Sequence, residues 1–290
     1  MRRVLITGGG GQVGNALIAS APPESQIYAP DSSSCDISNP ESVQDTFSSF
    51  EPELVINAAA YTAVDRAETD RRAAFEVNAE GAGNLARACR VDQTPLIHLS
   101  TDYVFDGTGK SAYNEDETTN PLNVYGASKL AGELQIIEAG TPYLILRVSW
   151  VFSATRSNFV KTMLGLAGRD TLRVVDDQRG TPCSADDIAE ALWLSAERLE
   201  MKSARLLLHF SSTPSTTWFG FAKTIFETAA SLGIVGRIPH LEPISSDGYP
   251  AAARRPANSL LDSSRLQRVV GFQPPDWRDS LRDVLRELTV

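Results

Sequence analysis

The chain has 290 residues, of which 42% are hydrophobic and 22% are charged, and its formal net charge is -9. This profile is typical of a globular protein with one large domain or two unequal ones. The negative charge argues against general binding to nucleic acid or to an anionic membrane, because both depend on an excess of Lys and Arg. The apolar run after Arg2 and Arg3 is too short for a signal peptide, and no run is long enough to span a membrane. We therefore expect a cytoplasmic protein.

Metal and disulfide chemistry are not indicated by the cysteines and histidines. The three cysteines are widely separated and lack Cys-x-x-Cys spacing, which predicts neither a disulfide framework nor a zinc site. His98, His209 and His240 also lack the spacing of metal ligands, and we expect them to be packing or surface residues.

Short β-rich runs alternate with helical patterns from residue 3 to about residue 150. The runs are RVLIT, QIYA, ELVINAAA, PLIHLS and YLILRVSW, and a helical pattern such as AAFEVNAEGAGNLARACR stands between two of them. This alternation predicts right-handed βαβ units and a parallel sheet. The runs are apolar nearly throughout, as expected when helices cover both faces of the sheet. The predicted fold class is α/β, with a doubly wound parallel sheet.

The rhythm changes after Trp150. Helices are predicted in NFVKTMLGLAGR, SADDIAEALWLSAERLE, TTWFGFAKTIFETAASLG and DWRDSLRDVLRELT, and strands in TLRVVDD and RLLLHFS. The segment HLEPISSDGYPAAARRPANSLLD reads as long and irregular, and such segments are often functional. We predict that residues 1–150 form the sheet domain, to which part of residues 176–210 returns. Residues 151–290 would then form mainly a smaller α/β substrate domain, with the ligand between the two.

A glycine-rich loop lies between the first predicted strand and the first predicted helix. VLITGGGGQVGNAL places Gly8, Gly11 and Gly14 at three-residue spacing. Glycine permits a tight turn and close approach of the backbone, and a helix N-terminus offers unpaired N–H groups to a pyrophosphate. A flexible turn is the alternative, but the position between strand and helix favours an NAD(P)-binding Rossmann domain in residues 1–150.

Acidic residues after the second strand are candidates for binding adenosine. Asp31 follows that strand at about the distance beyond Gly14 at which a carboxylate accepts hydrogen bonds from the ribose of NAD. No Arg or Lys lies nearby to bind a 2′-phosphate, which favours NADH, although Ser32–Ser34 could accommodate one. Asp31 could equally be a solvated turn residue, and Asp36 is an alternative contact. Three small residues follow the third strand, where a cofactor or a packed helix would need space: Ala58, Ala59 and Ala60.

Tyr125 and Lys129 lie four positions apart at the start of a predicted helix, and can therefore face the same ligand. A phenol has an unperturbed pKa of about 10, and a nearby ammonium lowers that pKa towards the range of a general acid. A packed tyrosine and a surface lysine would be the ordinary alternative. Thr101 follows the fourth strand, at the sheet edge where ligands bind in such folds, and it supplies a third polar group.

These motifs together resemble the extended short-chain dehydrogenase/reductase family, and within it the dTDP-4-dehydrorhamnose reductases. The likeness runs along nearly the whole chain, in GGGGQVG, NAAAYTAVDRAE, STDYVFDGTG, PLNVYGASKLAGE, LRVSWVF, NFVKTML, VVDDQRGTP and RRPANSLLD. The strings NAAAYTAVDRAE and DQRGTP separate this group from nucleotide-sugar epimerases.

The resemblance implies a role for each matching residue. Gln12 and Val13 would join the glycine loop at the pyrophosphate, and Asp36 and Ile37 would flank the adenine. The remaining implied roles are that Ala58–Ala60 line the cofactor, Thr101 and Asp102 face the sugar, Tyr125 donates the proton, Lys129 binds the nicotinamide ribose and Trp150 packs on the substrate.

The implied reaction is reduction of the 4-keto group of dTDP-4-dehydro-6-deoxy-L-mannose by NADH or NADPH, with Tyr125 protonating the nascent alkoxide. The product would be dTDP-L-rhamnose. The substrate diphosphate could be bound by Arg254 and Arg255, which could equally be a solvated pair, and Asn258 is a weaker candidate.

The resemblance also bears on assembly. Some members form a metal-bridged dimer through glutamates, but Ala16 and Asp186 stand at two of those positions here. A bridging metal is therefore doubtful, and we expect a monomer or a homodimer.

Two alternatives remain open from the sequence. One is an epimerase or dehydratase of the same fold, although Tyr103 after Asp102 disfavours a dehydratase. The other is a non-catalytic regulatory subunit similar to the β subunit of methionine adenosyltransferase.

Overall fold

A parallel six-stranded sheet forms the centre of the computed structural model, which describes residues 2–289. The strands of this sheet, in spatial order, are β10 (Arg205–His209), β5 (Tyr143–Val148), β4 (Leu96–Thr101), β3 (Leu54–Asn57), β1 (Arg2–Thr7) and β2 (Ser25–Tyr28). The chain runs outward from β1 to β2, and then in the other direction from β3. The strand order therefore reverses between β1 and β3, which is where doubly wound sheets bind ligands. The predicted fold class is confirmed.

Helices cover both faces of this sheet. On one face lie α1 (Gln12–Ala19), α8 (Ala185–Arg198) and α10 (Ser264–Val270), and on the other lie α2 (Pro40–Phe50), α5 (Ala82–Val91) and α6 (Val124–Ala139). The apolar strands serve both layers, because successive side chains of a strand point to opposite faces. In β1, for example, Val4 and Ile6 pack with α1 and α8, whereas Leu5 packs in the other core.

The predicted helix AAFEVNAEGAGNLARACR is divided into three parts. After the short helix α3 (Val64–Ala67), the chain forms α4 (Arg71–Phe75), a π-helical turn, Glu76–Gly81, and then α5. At Gly81 a Cβ would lie 2.8 Å from the side chain of Ile37, so a larger residue at the turn would have to displace that side chain.

A third apolar cluster is built from the second half of the chain. It contains α7 (Phe159–Gly165), α9 (Trp218–Ser231) and α11 (Trp277–Glu287), which pack around buried aromatic side chains. The short strands in this half are β6 (Val151–Phe152), β7 (Thr171–Val175), β8 (Arg179–Gly180), β9 (Cys183–Ser184), β11 (Thr216–Thr217) and β12 (His240–Ile244).

One element departs from the sequence prediction. The segment predicted to be irregular from residue 240 begins with β12, which pairs in parallel with β7. The strand predicted in RLLLHFS is β10, and it pairs with β5 in the central sheet. The domain division at residue 150 stays a prediction.

The three cysteines are buried free thiols. Among the helices within residues 2–289, none has the length and apolar character needed to cross a bilayer.

Candidate active site

A cleft of about 820 Å³ opens at the carboxyl edge of the sheet, beside the point where the strand order reverses. Most of the predicted site residues line it, namely Gly8, Gly11, Gln12, Val13, Asp31, Asp36, Ile37, Ala58, Ala59, Ala60, Thr101, Asp102, Tyr125, Lys129 and Trp150. Gly14, Arg254 and Arg255 lie outside this lining. The residues that the sequence placed in separate motifs therefore share one cavity.

The glycine turn is packed too closely for side chains. Gly8 has a φ of +75°, and a Cβ there would lie 2.4 Å from the backbone nitrogen of Ala59. A Cβ at Gly14 would lie 2.2 Å from the Gly8 carbonyl oxygen. Helix α1 starts directly after the turn, and its first residues, Gln12 and Val13, are uncharged. Its N–H groups and positive dipole end fit a pyrophosphate.

Asp31 and Asp36 each accept hydrogen bonds from their own turn. Asp31 Oδ1 accepts from the Ser33 hydroxyl at 2.7 Å and from the Ser34 backbone N–H at 2.9 Å. Hydrogen bonds from the serine side chains are the main cause of the lowered pKa of Asp31. Asp36 Oδ1 accepts in the same way from Ser38, at 2.7 Å from the hydroxyl. Both carboxylates thus shape the wall of the cleft, and the ionised form of Asp31 is favoured.

Thr101 and Asp102 form a hydrogen-bonded pair at the end of β4. Thr101 Oγ1 donates to Asp102 Oδ1 at 2.9 Å and accepts from the Tyr103 backbone N–H at 3.2 Å. The second carboxylate oxygen of Asp102 is buried and has no hydrogen-bond partner among residues 2–289. Burial raises the pKa of Asp102 to about 7. A buried acceptor of this kind suits a donor on a ligand.

Tyr125 lies in the first turn of α6, which Asn123 caps. The Asn123 side-chain oxygen accepts from the Gly126 N–H at 2.8 Å. A Cβ at Gly126 would lie 2.2 Å from the Tyr103 carbonyl oxygen, so the helix start packs directly on the turn after β4. The Tyr125 ring contacts Tyr103 edge-on, with centroids 5.9 Å apart. These contacts fix the phenol beside the Thr101 hydroxyl.

The pKa of Tyr125 is shifted upward, opposite to the direction that the sequence predicted. Burial raises it to about 12, the Thr101 hydroxyl lowers it, and the Asp102 carboxylate raises it further. Lys129 is not among the groups that shift this pKa, and its Nζ donates to the Leu99 carbonyl oxygen of β4. The neutral phenol is the form present near pH 7.

Lys129 is a buried residue, not the surface lysine of the ordinary alternative. Only 2% of it is exposed, and its Nζ donates to the Leu99 carbonyl oxygen at 2.6 Å. Its Nζ also lies 3.3 Å from His98 Nε2. Burial lowers the pKa of Lys129 to about 8, against the opposing effect of Glu133. Glu133 lies one turn further along α6, buried in an ion pair of 2.6 Å with Arg147.

Trp150 enters the cleft from the end of β5 with a backbone φ of +44°. Its indole stacks on Trp218 of α9, with centroids 3.6 Å apart and an interplanar angle of 10°. Gly180 packs on the same indole, because a Cβ there would lie 2.4 Å from Trp150 Cε2. The side chain is therefore fixed by two residues that are distant in sequence.

The segment with the two arginines is tied to the first half of the chain. The Asn123 amide donates to the Arg254 carbonyl oxygen at 2.8 Å, and Arg255 forms an ion pair of 2.7 Å with Asp65. Asn258 donates to the carbonyl oxygens of Gly109 and Ser111. Arg255 and Asn258 therefore hold this segment in place. Binding of the substrate diphosphate by Arg254 and Arg255 stays a prediction.

The two positions at which some family members carry metal-binding glutamates lie on helices that pack on the sheet. Ala16 is buried in the core between α1 and α8. Asp186 lies in the first turn of α8, and burial raises its pKa. Within residues 2–289 no group of three or more His, Cys, Asp or Glu residues could hold a metal ion.

Comparison with known proteins identifies the family. The family model for the RmlD substrate binding domain matches residues 1–290. The dTDP-4-dehydrorhamnose reductase of Aggregatibacter actinomycetemcomitans is 40% identical over 289 residues, which cover 98% of each chain. The chain belongs to the dTDP-4-dehydrorhamnose reductase family.

Solved structures of this family agree with the fold. A dTDP-4-dehydrorhamnose reductase of Clostridium acetobutylicum matches with a TM-score of 0.92 and 33% identity, over 99% of this chain and 100% of that chain. The Bacillus anthracis dTDP-4-dehydrorhamnose reductase, solved in complex with NADP, matches with a TM-score of 0.91 and 37% identity, over 99% and 100%. The predicted membership of this reductase family is confirmed.

Several further residues line the cleft of this family member without having been predicted as ligands, and three of them have large side chains. Tyr103 follows the Thr101-Asp102 pair and could have been found from that motif. Arg156 and Trp218 come from the second half of the chain, where the local sequence carries no matching pattern. Arg156 donates from Nε to the Gly10 carbonyl oxygen, which joins the glycine turn to the segment after β6.

Proposed function

We propose that this chain catalyses the NADH- or NADPH-dependent reduction of dTDP-4-dehydro-6-deoxy-L-mannose to dTDP-L-rhamnose, the last step of dTDP-rhamnose biosynthesis. The observation that carries the proposal is the convergence of Thr101, Tyr125 and Lys129 in one cleft with the glycine turn. Family membership supports the same reaction, because the matched relatives are named for it.

A nicotinamide held at the glycine turn would supply hydride chemistry for the 4-keto carbon. The chain's own task is to supply a proton to the oxygen of that carbon. Tyr125 suits this task, because its pKa of about 12 keeps the phenol protonated near neutral pH. Thr101 lies next to it and orients the oxygen that receives the proton. The phenol proton moves to the alkoxide, which leaves an alcohol and a phenolate.

Other residues of the cleft would bind and orient the two ligands. Lys129 would bind the nicotinamide ribose, and Asp102 would accept a hydrogen bond from a sugar hydroxyl with its unpartnered oxygen. Trp150 would pack against the sugar, since an apolar indole face excludes water from the reacting atoms.

Two observations favour different nicotinamide cofactors. Asp31, at the end of β2, favours the unphosphorylated ribose, whereas the Bacillus anthracis relative was solved with NADP. We keep both NADH and NADPH in the proposal. A monomer or homodimer in the cytoplasm, without nucleic-acid or membrane partners, is proposed on the sequence grounds given above.

The test is the variant Tyr125→Phe, which removes the hydroxyl and keeps the ring that packs on Tyr103. We expect kcat to fall by about 10²- to 10⁴-fold, the usual contribution of general acid catalysis. Turnover is followed by the loss of nicotinamide absorbance after addition of dTDP-4-dehydro-6-deoxy-L-mannose, and cofactor affinity by fluorescence titration.

Tyr28→Phe is the matched control, because Tyr28 is partly exposed in β2 and lies outside the cleft lining. It should leave both measurements unchanged. Cofactor consumption in proportion to product supports a reductase, whereas an epimerase would return the hydride. A regulatory subunit would consume no cofactor, and retained activity in Tyr125→Phe would remove the tyrosine from the mechanism.

A further inference from the structure

Arg156 reaches the glycine turn from the second half of the chain with an unusual backbone conformation. Its φ is +58°, in the left-handed region that residues other than glycine rarely adopt. Its Nε donates to the Gly10 carbonyl oxygen, and the residue lines the cleft. Backbone strain of this kind persists only where the surrounding structure enforces it, and it is concentrated at ligand sites. Arg156 is therefore a candidate ligand-binding residue.

Hydrogen bonds to Gln12 hold the Arg156 segment in this position. Gln12 is the first residue of α1, and its Oε1 accepts from the Ser153 hydroxyl at 2.9 Å and from the Asn158 amide at 3.0 Å. Asn158 also caps α7, since its Oδ1 accepts from the Lys161 N–H at 3.2 Å. Arg156 lies between these two anchors in the sequence. The start of α1 thus fixes the segment that carries the guanidinium.

The guanidinium lies on the side of the glycine turn that adjoins β2. A Cβ at Gly10 would lie 2.9 Å from Arg156 Nη2, so the guanidinium occupies the place of a side chain at residue 10. The preceding residue, Gly9, packs on the end of β2, because a Cβ there would lie 2.9 Å from Ala29 Cβ. Asp31 follows two residues later, at the strand end where such folds bind the adenosine ribose. Only Gly9 separates the arginine contact from this strand end.

Arg156 is the cation of the cleft that is available to a phosphate. Five charged side chains line the cleft, of which three are aspartates and two are the cations Lys129 and Arg156. Lys129 is 2% exposed, and its Nζ donates to the Leu99 carbonyl oxygen. Arg156 is exposed, and its Nε contact leaves both terminal NH₂ groups for a ligand. A guanidinium with two such groups matches the oxygens of a phosphate.

The pyrophosphate and the 2′-phosphate of a cofactor would meet different parts of this cleft. The start of α1 offers N–H groups and a positive dipole end to the pyrophosphate. A 2′-phosphate would lie at the adenosine ribose, where the local sequence offers no cation, because no Lys or Arg occurs between Arg3 and Arg66. Asp31 adds a negative charge there, since hydrogen bonds from serine side chains hold its pKa below its usual value. A 2′-phosphate therefore needs a cation from elsewhere in the chain.

We propose that Arg156 binds the 2′-phosphate of NADPH and makes this chain prefer NADPH to NADH. The proposal rests on the proposed function, since it concerns the cofactor of that reaction. An arginine close to the adenosine ribose is the usual means of accommodating a 2′-phosphate in a Rossmann fold. Here the arginine comes from the segment after β6 and offsets the charge of Asp31 from across the glycine turn. A preference for NADPH is consistent with the NADP complex of the Bacillus anthracis relative.

The wild-type protein is tested by fluorescence titration with NADPH and with NADH, without sugar nucleotide. We expect the dissociation constant of NADPH to be at least about 10-fold lower, as a hydrogen-bonded ion pair with a phosphate would give. Adenosine 2′,5′-bisphosphate and AMP differ only in the 2′-phosphate, and neither contains a pyrophosphate. The bisphosphate should displace NADPH at a concentration at least about 10-fold lower than AMP. Equal affinities within either pair would overturn the proposal.

Arg156→Gly removes the guanidinium without straining the backbone. Glycine adopts a φ of +58° readily, so we expect the variant to fold at least as well as the wild type. The dissociation constant of NADPH should rise by about 10-fold, and that of NADH should stay within about twofold. An equal loss for both cofactors would assign Arg156 to the pyrophosphate and refute the 2′-phosphate contact. Unchanged binding of NADPH would refute it as well.

Lys161→Met is the matched control. Lys161 is a cation of the same segment, and its Nζ donates to the Ala154 carbonyl oxygen at 2.9 Å, but it lies outside the cleft lining. Both dissociation constants should stay within about twofold. Loss of the NADPH preference in this variant would show that the charge or the tether of the segment sets the preference, and not the Arg156 guanidinium. None of these measurements requires turnover, so a failure of the proposed reaction would be seen separately in the reductase assay.

Discussion

Gly180→Ala is a direct test of whether Trp150 positions the substrate. A Cβ at residue 180 would lie 2.4 Å from Trp150 Cε2, 2.5 Å from Cζ2 and 2.7 Å from Nε1. Carbon atoms in contact normally lie about 3.5–4.0 Å apart, so the indole must move by about 1 Å. The ring also stacks on Trp218 at 3.6 Å, and it cannot move without disturbing that stack.

The expected effect is on the sugar nucleotide and not on the cofactor. A displacement of about 1 Å in a positioning group can cost up to ~10²-fold in rate. We expect kcat/KM for dTDP-4-dehydro-6-deoxy-L-mannose to fall by about 10- to 100-fold, or ~1.4–2.7 kcal/mol. Cofactor affinity, measured by fluorescence titration, should stay within about twofold, because the glycine turn that would bind the pyrophosphate keeps its own packing.

Gly165→Ala is the matched control for this variant. Gly165 lies in α7, and a Cβ there meets no atom within 4 Å. The same chemical change should be neutral for kinetics and should stabilise the protein by about 0.5–1 kcal/mol, because alanine is the better helix former. If folded Gly180→Ala retains the wild-type kcat/KM, Trp150 does not position the sugar and the proposed contact is wrong.

Substitutions of two other cleft residues are expected to have measurable effects. Arg156→Met removes the link to the Gly10 carbonyl oxygen and a cation at the edge of the glycine turn, and should raise the NADPH dissociation constant by about 10-fold in a titration. The folded pKa of Asp102 is about 7, above its unfolded value of about 3.9. Its contribution to the free energy of unfolding is therefore fully present below about pH 4 and is lost as the pH rises through 7. In urea denaturation between pH 4 and 8, Asp102→Asn should lose less stability than the wild type, by on the order of 3 kcal/mol, and parallel curves for the two proteins would contradict this.

The central sheet could be predicted from sequence because its strands are buried on both faces. The runs Leu54–Asn57 and Leu96–Thr101 are buried throughout, and six of their ten residues are Leu, Val or Ile, a pattern that needs no information about distant partners. In contrast, β12 (His240–Ile244) contains Glu242 and Pro243 and pairs with only one strand. An edge strand of this kind shows no alternation, since neither face is fully buried.

The candidate site was predictable where a motif is local. Tyr125 and Lys129 share one helix, and their spacing places them on the same side. The predicted direction of the shift in the Tyr125 pKa was wrong, because this shift depends mainly on burial, which the spacing does not report. Arg156 and Trp218 reach the cleft only through the fold of the second half, so no local pattern marks them.

The strings predicted to separate this family from epimerases also support the site from behind, although Ala58–Ala60 of the first string line the cleft. In NAAAYTAVDRAE, Asp65 binds Arg255 at 2.7 Å and accepts from the Ala253 N–H at 3.0 Å. In DQRGTP, Gln178 accepts from Trp218 Nε1 at 3.2 Å, and Gly180 leaves room for Trp150. Both strings thus fix elements of the second half against the Rossmann sheet. The two strings therefore report how the substrate side of the cleft is held in place. Their contacts join residues that are distant in sequence, so these roles can be recognised only in the folded chain.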